Sequence, residues 1–123
     1  ALEYAKQAGE EAEKVKTDFL KATDAIQIAK SKIFEIEKMG VSSNKATELY
    51  KLAMEAMDRA DYEKVNTLCA ECIKDAELSQ LEFVKKVIES TEQILLNAQS
   101  MGADVSTAQA IFNKAKDAVA KKA

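Results

Sequence analysis

The chain contains no proline in its 123 residues, and glycine occurs only at positions 9, 40 and 102. Because proline and glycine are the residues that most often end or break helices, long stretches of this chain have no internal break. Alanine, the strongest helix former, occurs 21 times. The sequence therefore predicts an all-α protein.

Two of the glycines are placed where helices should end. Gly40 and Gly102 each follow a methionine after a long stretch of helical apolar periodicity, where glycine serves as a left-handed cap. A third boundary is predicted at 59–62, where Asp61 can cap a new helix. These signals predict four helices, two long and two short, at about 2–39, 44–58, 62–101 and 105–122.

The chain also contains an internal correspondence at a constant offset of 62 residues. An apolar residue, an aromatic residue and three alanines recur in register. The pairs are Met39/Met101, Gly40/Gly102, Ala46/Ala108, Leu49/Ile111, Tyr50/Phe112, Ala53/Ala115, Ala56/Ala118 and Met57/Val119. We interpret 1–123 as a single three- to four-helix bundle domain with internal repeats at about 1–61 and 62–123.

The two long helices differ in their apolar seams. The first keeps heptad spacing throughout: Ala5, Ala8, Ala12, Val15, Phe19, Ala22, Ile26, Ala29, Ile33 and Ile36. Its second half carries the larger residues and should hold the main core. Its alanine-rich first half has no assigned partner, so we expect that end to fold back onto the domain or to pair between molecules.

The seam of the third helix changes phase. It runs first through Val65, Cys69, Cys72 and Ala76, and then through Leu81, Val84, Ile88, Thr91, Leu95 and Ala98. The five-residue step between Ala76 and Leu81 rotates the apolar stripe around the helix. The first half should therefore pack with the second helix and the end of the first, and the second half with the fourth helix.

A long helix shared between two three-helix units resembles the spectrin-type rod. The segment 60–63, in which Asp61 and Tyr62 open a helix, resembles the start of a tetratricopeptide-type repeat. The 62-residue offset is shorter than a spectrin repeat, and tryptophan is absent. Either resemblance implies a scaffold or adaptor, and neither assigns a functional residue.

Cys69 and Cys72 form the one motif that could carry out chemistry, since two thiols three residues apart can form a redox disulfide or half of a zinc site. Both lie on the apolar seam, however, and the chain offers no other cysteine and no histidine. The favoured interpretation is a pair of small core residues in a reducing, cytoplasmic compartment. Redox switching, and a metal shared across a dimer, are the alternatives.

Most catalytic and nucleic-acid-binding functions are disfavoured. Without histidine the chain cannot build a Ser-His-Asp or Cys-His triad, and its carboxylates follow the lattice of solvated helix faces. A net charge of −3 gives no overall attraction to phosphate backbones. We therefore predict no catalytic residue, no metal site and no cofactor.

The leading hypothesis is a non-catalytic structural or protein-interaction module, a segment of a helical repeat array that acts as scaffold or spacer. Its partners would be another protein, flanking domains of a longer chain, or a second copy. Two alternatives stay open: a thiol-based redox or metal sensor at Cys69 and Cys72, and a helical bundle that binds lipid surfaces reversibly. The last helix, with Lys114, Lys116, Lys121 and Lys122, could meet an acidic partner or lipid headgroups, although cations also simply complement a helix C-terminus.

Overall fold

The computed structural model describes residues 2–122, which form four α-helices and no strand. Helix α1 spans Leu2–Lys38, α2 spans Asn44–Asp58, α3 spans Tyr62–Ser100 and α4 spans Ser106–Lys122. Each helix begins and ends within one residue of its predicted position. The all-α fold with two long and two short helices is thereby confirmed.

Helices α1 and α3 end in the same backbone geometry. Gly40 and Gly102 adopt left-handed φ values of 83° and 88°. After α1, the Val41 N–H donates to the Ile36 carbonyl at 2.9 Å and the Gly40 N–H donates to the Glu37 carbonyl at 3.0 Å. These two bonds define a Schellman motif, which satisfies carbonyls that the helix leaves free. The two predicted Met-Gly helix ends are confirmed.

Helix α2 ends in the same motif without a glycine. Ala60 takes a left-handed φ of 58°, and the Asp61 N–H donates to the Ala56 carbonyl at 2.9 Å. The left-handed conformation of an L-residue reduces the stability of the fold by about 1 kcal/mol.

We expect Ala60→Gly to raise the free energy of unfolding by about 0.5 to 1 kcal/mol in urea denaturation, and Gly40→Ala to lower it by about as much. A less stable Ala60→Gly protein would contradict this account of the turn.

The chain divides into two compact units inside α3, between Gln80 and Leu81. Unit 1 contains α1, α2 and the first half of α3, and unit 2 contains the second half of α3 and α4. The boundary falls in the five-residue step between the two seams of α3. The two halves of one continuous helix thus have different neighbours, as the change of seam predicts. The proposed repeats at 1–61 and 62–123 are defined by sequence correspondence and stay a prediction.

The core of unit 1 is built mainly from small side chains, which let helices approach closely. Its buried residues are Ala22, Ala29, Ile36, Val41, Ala46, Ala53, Ala56, Val65, Cys69, Cys72 and Ala76. All the buried residues of α1 lie in its second half, so the predicted position of the main core is confirmed. The residues of α3 that are buried are those of its predicted first seam.

Contacts at both ends of unit 1 fix the direction of α3 relative to α1. The rings of Phe19 and Tyr62 meet edge to face at 5.9 Å between centroids. Near the other end, Lys32 Nζ donates to Gln80 Oε1 at 2.9 Å. Helix α1 and the first half of α3 therefore run side by side in the same direction.

Unit 2 has a smaller core. Helix α4 packs on the second half of α3 through Phe112, which is 7% exposed. The ammonium of Lys116 lies over that ring, 5.4 Å from its centroid, and pairs with Glu92 at 3.6 Å. The stem of Lys116 therefore adds to the apolar contact while its charge stays near solvent.

Candidate functional site

Cys69 and Cys72 are free thiols in the core of unit 1. Cys69 is 1% exposed and Cys72 is fully buried, and Cys72 Sγ donates to the carbonyl oxygen of Ala46 at 3.2 Å. The pair thus lies between α3 and the first turn of α2. The arrangement offers a tight helix contact and no access for a reacting molecule.

Burial also keeps these thiols protonated. It raises the pKa of Cys69 to about 11, with a smaller contribution from the charge that Cys72 would carry. Burial, and then the nearby carboxylate of Asp75, raise the pKa of Cys72. Because the thiolate is the nucleophile and the metal ligand, both thiols are unreactive at neutral pH. Their environment gives no support to the redox alternative.

We expect the two thiols to resist iodoacetamide in the folded protein at neutral pH and to react once urea unfolds it.

The unfolded chain loses the Cys69 proton near pH 9 and the folded chain only near pH 11. The contribution of this thiol to stability is therefore complete below about pH 9 and is lost as pH rises toward about 11. Urea denaturation across this range should show a steeper loss of stability in the parent than in Cys69→Ala. An equal loss in both proteins would contradict the assignment.

Residues 2–122 contain no cluster of three or more Cys, Asp or Glu side chains able to hold a metal ion. Cys69 and Cys72 would supply only two ligands, and neither is a thiolate at neutral pH. A metal shared through these residues would require unit 1 to open.

A polar bridge links the start of α2 to α3. The Ser43 hydroxyl accepts from the Ala46 N–H at 3.1 Å and donates to Asp75 Oδ2 at 2.6 Å. Lys45 lies 3.9 Å from the same carboxylate. Ser43 thus caps α2 and also joins it to α3, which fixes the register between these helices. We assign this group a structural role.

An open cleft of about 450 Å³ lies in unit 2 at the turn between α3 and α4. Asp104 lines it, and its carboxylate accepts from the Ser106 hydroxyl at 2.6 Å and from the Ser106 N–H at 3.0 Å. These bonds lower the pKa of Asp104 and cap the start of α4. The carboxylate therefore serves the turn itself.

The most distinctive surface is an apolar face of unit 2. In unit 1, Ala46, Ala53 and Ala56 are at most 4% exposed, because α1 and the first half of α3 cover them. Their counterparts 62 residues later are all exposed, and Ile111, the counterpart of half-buried Leu49, is 64% exposed. The counterparts are Ala108, Ala115 and Ala118.

The same contrast extends to α3, because the 62-residue correspondence continues backward into the preceding helix. Ala22, Ala29 and Ile36 of α1 correspond to Val84, Thr91 and Ala98 of α3. Lys32, which meets Gln80 in unit 1, corresponds to Ile94, which is 65% exposed. Val87, two turns earlier on this side of α3, is 46% exposed.

We call these six residues the open face of unit 2: Val87, Ile94, Ala108, Ile111, Ala115 and Ala118. Two of the equivalent positions in unit 1 meet the first half of α3: Lys32 donates to Gln80, and the Ala46 carbonyl accepts from Cys72. Unit 2, over its described residues, contains two helices where unit 1 contains three. Within the described residues, no third helix covers the open face.

A second unpartnered surface lies on residues 2–18 of α1, which we call the α1 arm. Every residue from 2 to 17 is exposed, with Leu2 at 89%, Tyr4 at 79% and Val15 at 56%. The arm extends beyond the start of α3, past the contact of Phe19 with Tyr62. It does not fold back within unit 1, so the first of the two outcomes predicted for this end is wrong.

No family model and no solved structure matches the chain. Over 58 residues, 46% of its length, the chain is similar to F-BAR domain only protein 2, with 43% identity to the Mus musculus and Homo sapiens proteins and 45% to the Pongo abelii protein. The match covers 7% of each of those proteins, so the chain spans a small fraction of the curated relatives it matches. The similarity covers a short segment and transfers no site residue.

None of the described helices combines the length and the apolar character needed to cross a membrane. The open face of unit 2 was not predicted from the sequence. Its four α4 residues belong to the matched pairs of the 62-residue correspondence, whereas Val87 and Ile94 lie outside both those pairs and the predicted seam of α3.

Proposed function

We propose that the protein is a non-catalytic protein-interaction module, a segment of a helical repeat array that serves as scaffold. The observation that carries this proposal is the shared helix α3, whose two halves belong to different compact units. In such arrays each repeat packs only on its neighbours, and the helix faces form the binding surfaces. The open face of unit 2 is then a surface to which another helix is added.

Two further observations support this role. The thiols and the Ser43–Asp75 bridge are committed to packing, so none of these groups is free for chemistry. The 58-residue similarity to a segment of F-BAR domain only protein 2 is a further support for an interaction module. A cytoplasmic location stays a prediction.

The lipid-surface alternative is less well supported. Residues 2–18, the most exposed amphipathic segment, carry five acidic and three basic side chains, a net charge of −2. Helices that lie on anionic membranes are typically rich in Lys and Arg on the polar face. The charge of the α1 arm therefore favours a protein partner over an anionic lipid surface.

Completing unit 2 in one chain would test the array. By the 62-residue offset, residue 123 corresponds to Asp61, so a copy of residues 62–80 can follow it directly. We expect the extended protein to melt at a higher temperature and its α4 amides to exchange hydrogen more slowly, because the added helix covers the open face.

The matched control is the same extension with serine in place of the copies of Val65, Cys69 and Cys72, whose seam would make the contact. This control should leave α4 exchange unchanged, since a polar seam gains little from burial. Equal exchange in the parent and in the unmodified extension would overturn the proposed array.

A further inference from the structure

The packing in unit 1 indicates what kind of helix would fit the open face of unit 2. There, the equivalent face of α2 receives a helix whose contact residues, Val65, Cys69, Cys72 and Ala76, are small and spaced by four, three and four. A fitting occupant is therefore a helix with a seam of small side chains. Three apolar side chains of the open face, Val87, Ile94 and Ile111, are 46%, 65% and 64% exposed without it.

Residues 2–122 contain one unpartnered helical segment with such a seam. The α1 arm presents Ala5, Ala8, Ala12 and Val15, spaced by three, four and three, and all four are exposed. The arm precedes the buried half of α1 as residues 62–80 precede the second half of α3. Its seam lies one or two residues later than the counterparts of Val65, Cys69, Cys72 and Ala76, so the arm would dock rotated about its axis relative to exact repetition.

The charges beside the two surfaces are opposite. Of the three lysines in residues 106–121, Lys116 pairs with Glu92, and the other two are Lys114 and Lys121; the arm carries a net charge of −2. Lys114 and Lys121 each follow an open-face residue by three positions, so they border this face at heptad spacing. Glu11 and Asp18 border the seam of the arm at the same spacing. Complementary charges at the edge of an apolar contact select the partner and its orientation.

We propose that the α1 arm of one copy docks on the open face of unit 2 of a second copy. This inference rests on the proposed function and names its partner. Each copy supplies one arm and one face, and the two surfaces are different, so the contact is heterologous. Such contacts, where they do not close into a ring, join copies into open chains whose length grows with concentration.

Sedimentation velocity of the full chain over a wide concentration range tests the proposal. We expect the average mass to rise with concentration beyond that of a dimer, and the association to weaken with added salt as the flanking charges are screened. Ile111→Glu should weaken association at least about tenfold, because it places a charge at the centre of the contact. This residue is exposed, so the variant should keep the circular dichroism of the parent.

Charge reversal gives a control that misfolding cannot imitate. A face variant, Lys114→Glu with Lys121→Glu, and an arm variant, Glu11→Lys with Asp18→Lys, should each be monomeric, because like charges then meet. An equimolar mixture of the two should associate, since every arm then finds a face of opposite charge. Association of the mixture but of neither variant alone supports the proposal.

Three results would overturn this contact. They are a parent that stays monomeric at every concentration, a closed dimer that persists in Ile111→Glu, and a charge-swapped mixture that does not associate. The persistent dimer would indicate that the α1 arms of two copies pair with each other. Any of these results, together with slower α4 exchange in the extended chain described above, would leave the proposed function standing without self-association.

Discussion

Replacing Ile36 with alanine is expected to lower the free energy of unfolding of unit 1 by about 3 kcal/mol. Ile36 is the largest fully buried side chain of the described core, at 1% exposed. Its own carbonyl anchors the turn after α1, through the bond from the Val41 N–H, and Val41 is buried with it. Truncation would leave a cavity where the surrounding alanines are too small to fill the space.

Tyrosine fluorescence can follow this change selectively, because Tyr4, Tyr50 and Tyr62 all belong to unit 1 and unit 2 contains no tyrosine. The matched control is Ile111→Ala, the same truncation at a side chain that is 64% exposed. At protein concentrations too low for association, we expect it to change stability by less than about 0.5 kcal/mol. Comparable losses at the two isoleucines would contradict the core described for unit 1.

Introducing proline at Ser79 is expected to have the second large effect. Ser79 lies inside α3, between the two seams. A proline there removes one helical hydrogen bond and clashes with the carbonyl four residues earlier, at a cost of about 3 kcal/mol or more. Because α3 is the helix that both units share, the break should also reduce the cooperativity between them.

Comparing two signals detects that loss of cooperativity. Tyrosine fluorescence reports unit 1, whereas circular dichroism reports both units. In urea, the two transitions of Ser79→Pro should separate, with unit 2 unfolding first because its core is smaller. Ser79→Ala keeps the helix and should leave the relation between the two transitions as it is in the parent. Unchanged, coincident transitions in Ser79→Pro would show that α3 does not couple the units.

Much of this fold could be predicted because its signals are local. Helix ends depend on a few neighbouring residues, so Met39-Gly40 and Met101-Gly102 located two of them. The left-handed conformation at Ala60 could not be predicted in the same way, since alanine rarely adopts it and the surrounding turn imposes it. The division of α3 followed from the five-residue step between Ala76 and Leu81.

The candidate surface was harder to predict because apolar periodicity does not report whether a seam is covered. Ala46 and Ala108 are related by the 62-residue offset, yet the first is fully buried and the second is exposed. The difference depends on whether a third helix packs on that face, and the apolar pattern of a single helix does not report this. Likewise, the heptad pattern of α1 runs unbroken through residues 2–38 while burial begins only near Ala22.

The short turns that close α1, α2 and α3 also affect how quickly the chain can fold. Each of the first three helices is followed within five residues by the next, so α1 and α2 are neighbours in sequence, whereas α1 and α3 meet across 43 and 48 residues, at Phe19–Tyr62 and Lys32–Gln80. Helical proteins rich in local contacts fold in microseconds to milliseconds, and long-range contacts slow folding. Folding that starts in the α1–α2 hairpin can then continue along α3 to α4, because each folded helix provides an apolar surface on which the next can pack.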